Sequence, residues 1–219
     1  MMRPDTLRRL EIKCREFINS RESGQDSAHD LAHVERVVSN ARMLLQKVIA
    51  DEEIVVAAAW LHDCVILPKD HPKRENASTF AAEQALNFLK LNKFPVSKLS
   101  GVAHAIEAHS FSAGIVAKTT EAKIVQDADR LDALGAIGIA RCLIVGGQLG
   151  RPLYNPEDPF CEDRSPDDSE WTIDHFYTKL FKLPEVMNTS VAREEAVKRV
   201  DFMRSYLDKL RGETGGNKL

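Results

Sequence analysis

Six of the seven histidines in this 219-residue chain, His29, His33, His62, His71, His104 and His109, fall in its first half. Imidazole is the commonest side-chain ligand for metal ions and titrates nearest neutrality, so this bias points first to metal or proton chemistry. His29 and His33 are four residues apart and share a face if both are helical. His62 stands directly before Asp63 at the end of the apolar run AAAWLHD. Successive helical residues diverge by about 100°, so His62 and Asp63 can converge on one ion only where it lies between them near a helix end. Further along, the segment DADRLDALGAIG carries Asp127, Asp129 and Asp132 on a helical pattern.

Taken in order, HxxRV (His33-Val34-Glu35-Arg36-Val37), LHD (Leu61-His62-Asp63) and DADRLDALGAIG (Asp127 to Gly138) resemble the HD-domain superfamily of metal-dependent phosphohydrolases, across residues 29–138. A lone His-Asp pair carries little weight, and His29-Asp30 is a second one here, without an apolar helix before it. The resemblance implies an all-α bundle holding one divalent ion with His33, His62, Asp63 and Asp129. Two imidazoles with two carboxylates form a borderline-hard set that suits Mn2+, the expected ion, or Fe2+, Co2+, Ni2+ or Zn2+ better than Ca2+, with Mg2+ a further option. The last ligand is a choice between neighbours, because residues two apart on a helix point about 200° away from each other. A helical wheel built on Ile124, Val125, Ala128, Leu131 and Leu134 places Asp127 and Asp132 at the flanks of the apolar face and favours Asp127. The family's Asp-Arg-Leu pattern points to Asp129, which is the expected ligand, with Asp127 and Asp132 as acceptors or salt-bridge partners around it.

Other residues extend the site. The loop after Asp63 carries Lys69, His71, Lys73 and Arg74, suited to an anionic substrate, although a solvated histidine is the ordinary state of His71. Some members of the resembled family use further histidines between the His-Asp pair and the last aspartate. By that analogy His104 and His109 are expected to contact a substrate phosphate beside a mononuclear site, His109 being the better candidate. Asp63 is expected to orient the attacking water, with Lys73, Arg74 or His109 neutralising phosphate charge. Lys179 is a further substrate-binding candidate, while His29 reads as a helix cap or outer neighbour and His175 as packing. Cys64 has no adjacent base in sequence and is not read as a nucleophile.

The region HDxxHVxRV (29–37) with QDADRLDALGAIG (126–138) most resembles a compact bacterial subgroup that includes a nucleoside triphosphate pyrophosphohydrolase. A small-molecule nucleotide, cleaved to monophosphate and pyrophosphate, is therefore the expected substrate. 5′-Nucleotidase or phosphodiesterase activity, or a non-catalytic nucleotide-binding module with a structural metal, are the alternatives. A formal charge of −3 provides no basic stripe for bulk nucleic acid. The charged start of the chain and the lack of a long apolar run predict a cytoplasmic protein with no membrane partner. The four cysteines, Cys14, Cys64, Cys142 and Cys161, form no CxxC pair and read as buried thiols. No GxxxxGK[ST], GxSxG, HExxH or strand-linked GxGxxG competes with the metal motifs.

Apolar periodicity predicts helices over 5–20, 30–50, 52–63, 76–92, 97–109, 120–145, 170–182 and 189–211, and no alternating strand. Ser97 and Thr119 or Thr120 are candidate N-caps. Residues 150–171 hold four prolines and many acids without a period, the signature of a long irregular loop. One helical domain over 1–212 is expected, with its metal core at about 29–138, and a flexible tail over 213–219.

Overall fold

The computed structural model describes residues 4–20, 31–65, 67, 71–110 and 113–214, so His29, Asp30, Lys69 and the end of the tail lie outside the described residues. The architecture is all-α, and no strand occurs among the described residues. The chain forms two compact units, residues 1–129 and 130–219. Among the described residues, no single helix is long and apolar enough to cross a membrane.

In the first unit, helix α3 (Glu52–Leu61) packs against α1 (Pro4–Asn19), α2 (Leu31–Leu45), α4 (Ala77–Leu91) and α5 (Leu99–His109). The apolar residues of α3 do more than line one side. Every residue from Val55 to Leu61 is buried, which is what a helix that is apolar all round requires. Its start is fixed by Asp51, whose carboxylate accepts the Glu53 and Ile54 amides at 3.1 and 3.4 Å. Lys98 pairs with both Asp51 and Glu53, at 2.6 and 2.9 Å. Burial opposes the charge on Asp51, but the Lys98 ammonium and these amides hold its carboxyl below the usual range. The central helix is thus anchored at one end and delivers His62 and Asp63 at the other. Ser97 is not a cap, because a 3-10 turn (Val96–Lys98) precedes α5 and no side chain caps that helix. Thr119 is one: its hydroxyl accepts the Ala122 amide at 3.1 Å.

The single helix expected over 120–145 is two, α6 (Thr120–Asp132) and α7 (Gly135–Gln148). Gly135, the first residue of α7, has φ +72°, a left-handed conformation that interrupts the helical path after α6 and that glycine adopts without strain. A Cβ at Gly138 would lie 2.2 Å from the Ala133 carbonyl oxygen. Both glycines are demanded by the break.

In the second unit α7 packs on α9 (Ser190–Glu213), which Thr189 caps by accepting the Ala192 amide. The helix expected over 170–182 shrinks to α8 (Asp174–Thr178), followed by a 3-10 stretch (Leu180–Val186). Pro184 lies within that stretch; it lacks an amide donor and disfavours α geometry in the residue before it. The irregular segment before α8 is braced by its acids. Asp158 accepts the amides of Glu162, Asp163 and Arg164, and Arg164 grips the buried Asp174 with two nitrogens.

Candidate metal centre

Two helices end in the same way. His62 follows the last residue of α3, and its Nδ1–H donates to the Ala59 carbonyl at 2.8 Å. His109 closes α5, and its Nδ1–H donates to the Ile106 carbonyl at 2.5 Å. Carbonyls in the last turn of a helix have no partner along the helix, so each histidine satisfies one. A carbonyl only accepts, which places the proton on Nδ1 and leaves the Nε2 lone pair to face away from its own helix. The negative end of each helix dipole then favours positive charge at that position.

The Nε2 atoms converge. His62 Nε2 lies 3.3 Å from His33 Nε2, a residue that α2 brings in with its buried face. Asp63 presents one oxygen to His33 and His62, at 3.7 and 3.5 Å, and the other to His109 Nε2 at 3.3 Å. Asp129, on α6, reaches His33 at 3.5 Å and His62 at 4.0 Å. Two overlapping groups result, His33-His62-Asp129 and His62-Asp63-His109, each with its ligand atoms within 4.8 Å of one another. The imidazoles are buried, whereas the side chains of Asp63 and Asp129 keep 17% and 30% of their exposure, so the group opens on its carboxylate side.

The donor chemistry fits a divalent cation. Inward-facing nitrogens and carboxylate oxygens are all electron-pair donors, and such atoms repel at these distances unless a cation or proton lies among them. Burial pushes the His62 imidazolium down to about 4, against the pull of Asp63. Burial also opposes charge on His109, but its hydrogen bond with Asp63 and the Asp129 charge raise it to about 9.

The structure brings together His33, His62, Asp63, Asp129 and His109. It is Asp129 rather than the fully buried Asp127 that joins the converging groups, while Asp132 pairs with Arg141. The helical wheel misplaced this choice because α6 is enclosed on more than one side, with Ala122, Ile124, Val125, Ala128 and Leu131 all buried. His104 is not brought into the group, since its Nε2 accepts the Lys118 amide at 3.0 Å. His71 accepts the Lys73 amide through Nδ1, Arg74 donates to the Leu67 carbonyl, and Lys73 is exposed. Lys179 lies in the second unit, where its amide donates to the His175 carbonyl. His175 is not simply packing: its Nδ1 pairs with Asp168 at 2.6 Å, and Thr178 donates to the same carboxylate. Sequence reasoning also passed over two buried amides, Asn40 and Gln126, which reach backbone carbonyls in this unit. Isolated amides in apolar patterns give no signal of their partners.

Comparison with known proteins follows the same lines. The family model for the HD domain matches residues 30–134. YpgQ of Bacillus subtilis is 34% identical over 206 residues, covering 92% of each chain. The crystal structure of YpgQ in complex with ADP matches with a TM-score of 0.72 at 31% identity, over 95% of this chain and 96% of that one. An HD-superfamily hydrolase from Bacillus thuringiensis matches with a TM-score of 0.73 at 30% identity, over 94% and 97% of the two chains.

Proposed function

Since this chain belongs to the HD-domain superfamily, we propose that it is a divalent-metal-dependent phosphohydrolase acting on a small nucleotide, releasing pyrophosphate from a nucleoside triphosphate. The observation that carries this reading is the pair of overlapping groups, His33-His62-Asp129 and His62-Asp63-His109, in which buried imidazoles meet partly exposed carboxylates. His33, His62, Asp63 and Asp129 would hold the ion, with Mn2+ the proposed occupant. When bound, the ion supplies Lewis acidity, polarising a phosphoryl oxygen and making water more acidic.

The side chains do the remaining work. Asp63 faces the two imidazoles with one oxygen and His109 with the other, so it can both bind metal and orient a water for attack on phosphorus. His109 presents Nε2 beside that carboxylate, in position to hold or release a proton there. Lys73 and Arg74, on the loop that leaves Asp63, supply positive charge to offset the phosphates. The nucleotide assignment draws support from the ADP complex of YpgQ. Its test is incubation with Mn2+ and a mixed nucleotide pool, with products identified by mass. Pyrophosphate and a monophosphate are expected, and their formation is to cease with EDTA and in His62→Ala. Orthophosphate as the sole inorganic product replaces the pyrophosphohydrolase reading with a phosphatase one, and no metal-dependent turnover at all overturns both.

A further inference from the structure

Two buried side-chain amides in the first unit each reach the backbone immediately before a member of the metal group. Asn40 Nδ2 donates to the Ala128 carbonyl at 3.0 Å, next to Asp129. Gln126 Nε2 donates to the Ala108 carbonyl at 2.7 Å, next to His109. Asn40 and Gln126 are only 8% and 7% exposed. Asn40 follows His33 by seven residues on α2, and two helical turns of about 3.6 residues return it to the same face. A chain of contacts therefore runs from α2 through Asn40 to α6, and from α6 through Gln126 to α5.

We propose that Asn40 and Gln126 are positioning residues for the metal centre, locking α2, α5 and α6 in the register that keeps His33 and Asp129 at binding distance and His109 against Asp63. This rests on the functional reading above, in which His33 and Asp129 hold the ion and His109 sits against the ligand Asp63. Apolar packing alone lets helices slide by fractions of an ångström, and a metal group needs its donors held within about 0.5 Å. A directional bond to a carbonyl removes that freedom. The Ala108 carbonyl also lies in the last turn of α5, where carbonyls run out of helical donors, so Gln126 satisfies it as it fixes it.

The test uses the full chain with Asn40→Leu and Gln126→Met, which keep most of the side-chain volume and remove the donor. Asn92→Leu is the control, because Asn92 makes a comparable bond to the Phe88 carbonyl at the far end of α4. Co2+ affinity, the visible absorption of the Co2+-saturated protein, the metal-free unfolding midpoint and the separate kcat and KM are measured. The two positioning variants are expected to bind Co2+ about 10- to 100-fold more weakly, with a changed absorption band and a fall in kcat that outweighs any change in KM. Asn92→Leu is expected to lose stability alone. Wild-type affinity and spectrum in both variants overturn the proposal, as does an affinity loss that merely tracks the fall in midpoint seen in Asn92→Leu. If Asn40→Leu does not fold, Gln126→Met decides. Unchanged Co2+ binding in His62→Ala is a different failure and removes the functional reading itself.

Discussion

The two units each hold a dense polar cluster, and the clusters obey opposite rules. Around Asp174 donors meet acceptors: two Arg164 nitrogens and the Asp167 amide, at 2.5 to 2.8 Å, surround one buried carboxylate. Nearby, Asp158 takes three amides. Around His62 acceptor faces acceptor, with imidazole nitrogens 3.3 Å apart and carboxylates beside them. The first arrangement is complete in itself and serves to hold an irregular segment in place. The second sets electron-pair donors face to face beside an open carboxylate side, which is the mark of a binding group rather than a brace.

The largest expected effect attacks the second rule. His62→Ala removes the residue common to both converging groups, and loss of several kcal/mol of metal charge stabilisation corresponds to a fall in kcat on the order of 10³-fold or more. The metal-free unfolding midpoint is expected to hold or rise, since a buried group facing like donors has gone. A kcat within tenfold of wild type would falsify the assignment of His62 as a ligand.

Arg164→Met makes the opposite cut. It leaves the Asp174 carboxylate fully buried with its cation removed, a change that costs about 3–5 kcal/mol. Chemical denaturation should show that loss; a cost below about 1 kcal/mol, the range of exposed pairs, would mean that the brace is a surface feature. Metal addition sharpens the contrast from the other side. At about 100 times its dissociation constant a bound ion adds about 2.7 kcal/mol, equivalent to roughly 5–10 °C in a chain of this size. Scanning calorimetry with and without Mn2+ should show the shift in wild type and none in His62→Ala.

What could be seen in the amino-acid order follows the same division. The His33, His62-Asp63 and Asp129 motifs were legible because chemistry restricts the residue types, and α1 to α5 because their apolar period is regular. The break between α6 and α7 was signalled by Gly135 and Gly138 but overridden by the surrounding Ala and Leu, which continue a helical period across it. His109 was read from sequence only as a phosphate contact; its nearness to Asp63 could not be read, since its position depends on where α5 stops. The His175–Asp168 pair and the Arg164–Asp174 brace could not be read, because each joins residues across an aperiodic segment whose path no periodicity describes. Side chains whose partner is a backbone carbonyl, such as Asn40 and Gln126, were invisible for the same reason.

The smallest expected effect separates the clusters by pH. Asp158 titrates below its ordinary value of 3.8, chiefly because the Glu162 amide and then those of Asp163 and Arg164 favour its charged form over a modest burial penalty. Asp168 is also lowered, first by His175, against burial, and further by Thr178. A carboxyl depressed in the folded state contributes stability that is whole above its unfolded value and drains away as pH falls through the folded one. The segment around 155–178 should therefore loosen in acid, read as faster exchange of the Glu162, Asp163 and Arg164 amides between about pH 5 and pH 2 after correction for intrinsic rates. Asp158→Asn keeps an acceptor oxygen and loses the titration, so it should flatten that profile while lowering protection slightly at neutral pH. Protection that stays constant down to global unfolding in wild type would show that backbone geometry, rather than carboxylate charge, holds the segment, and the two clusters would then differ in composition but not in kind.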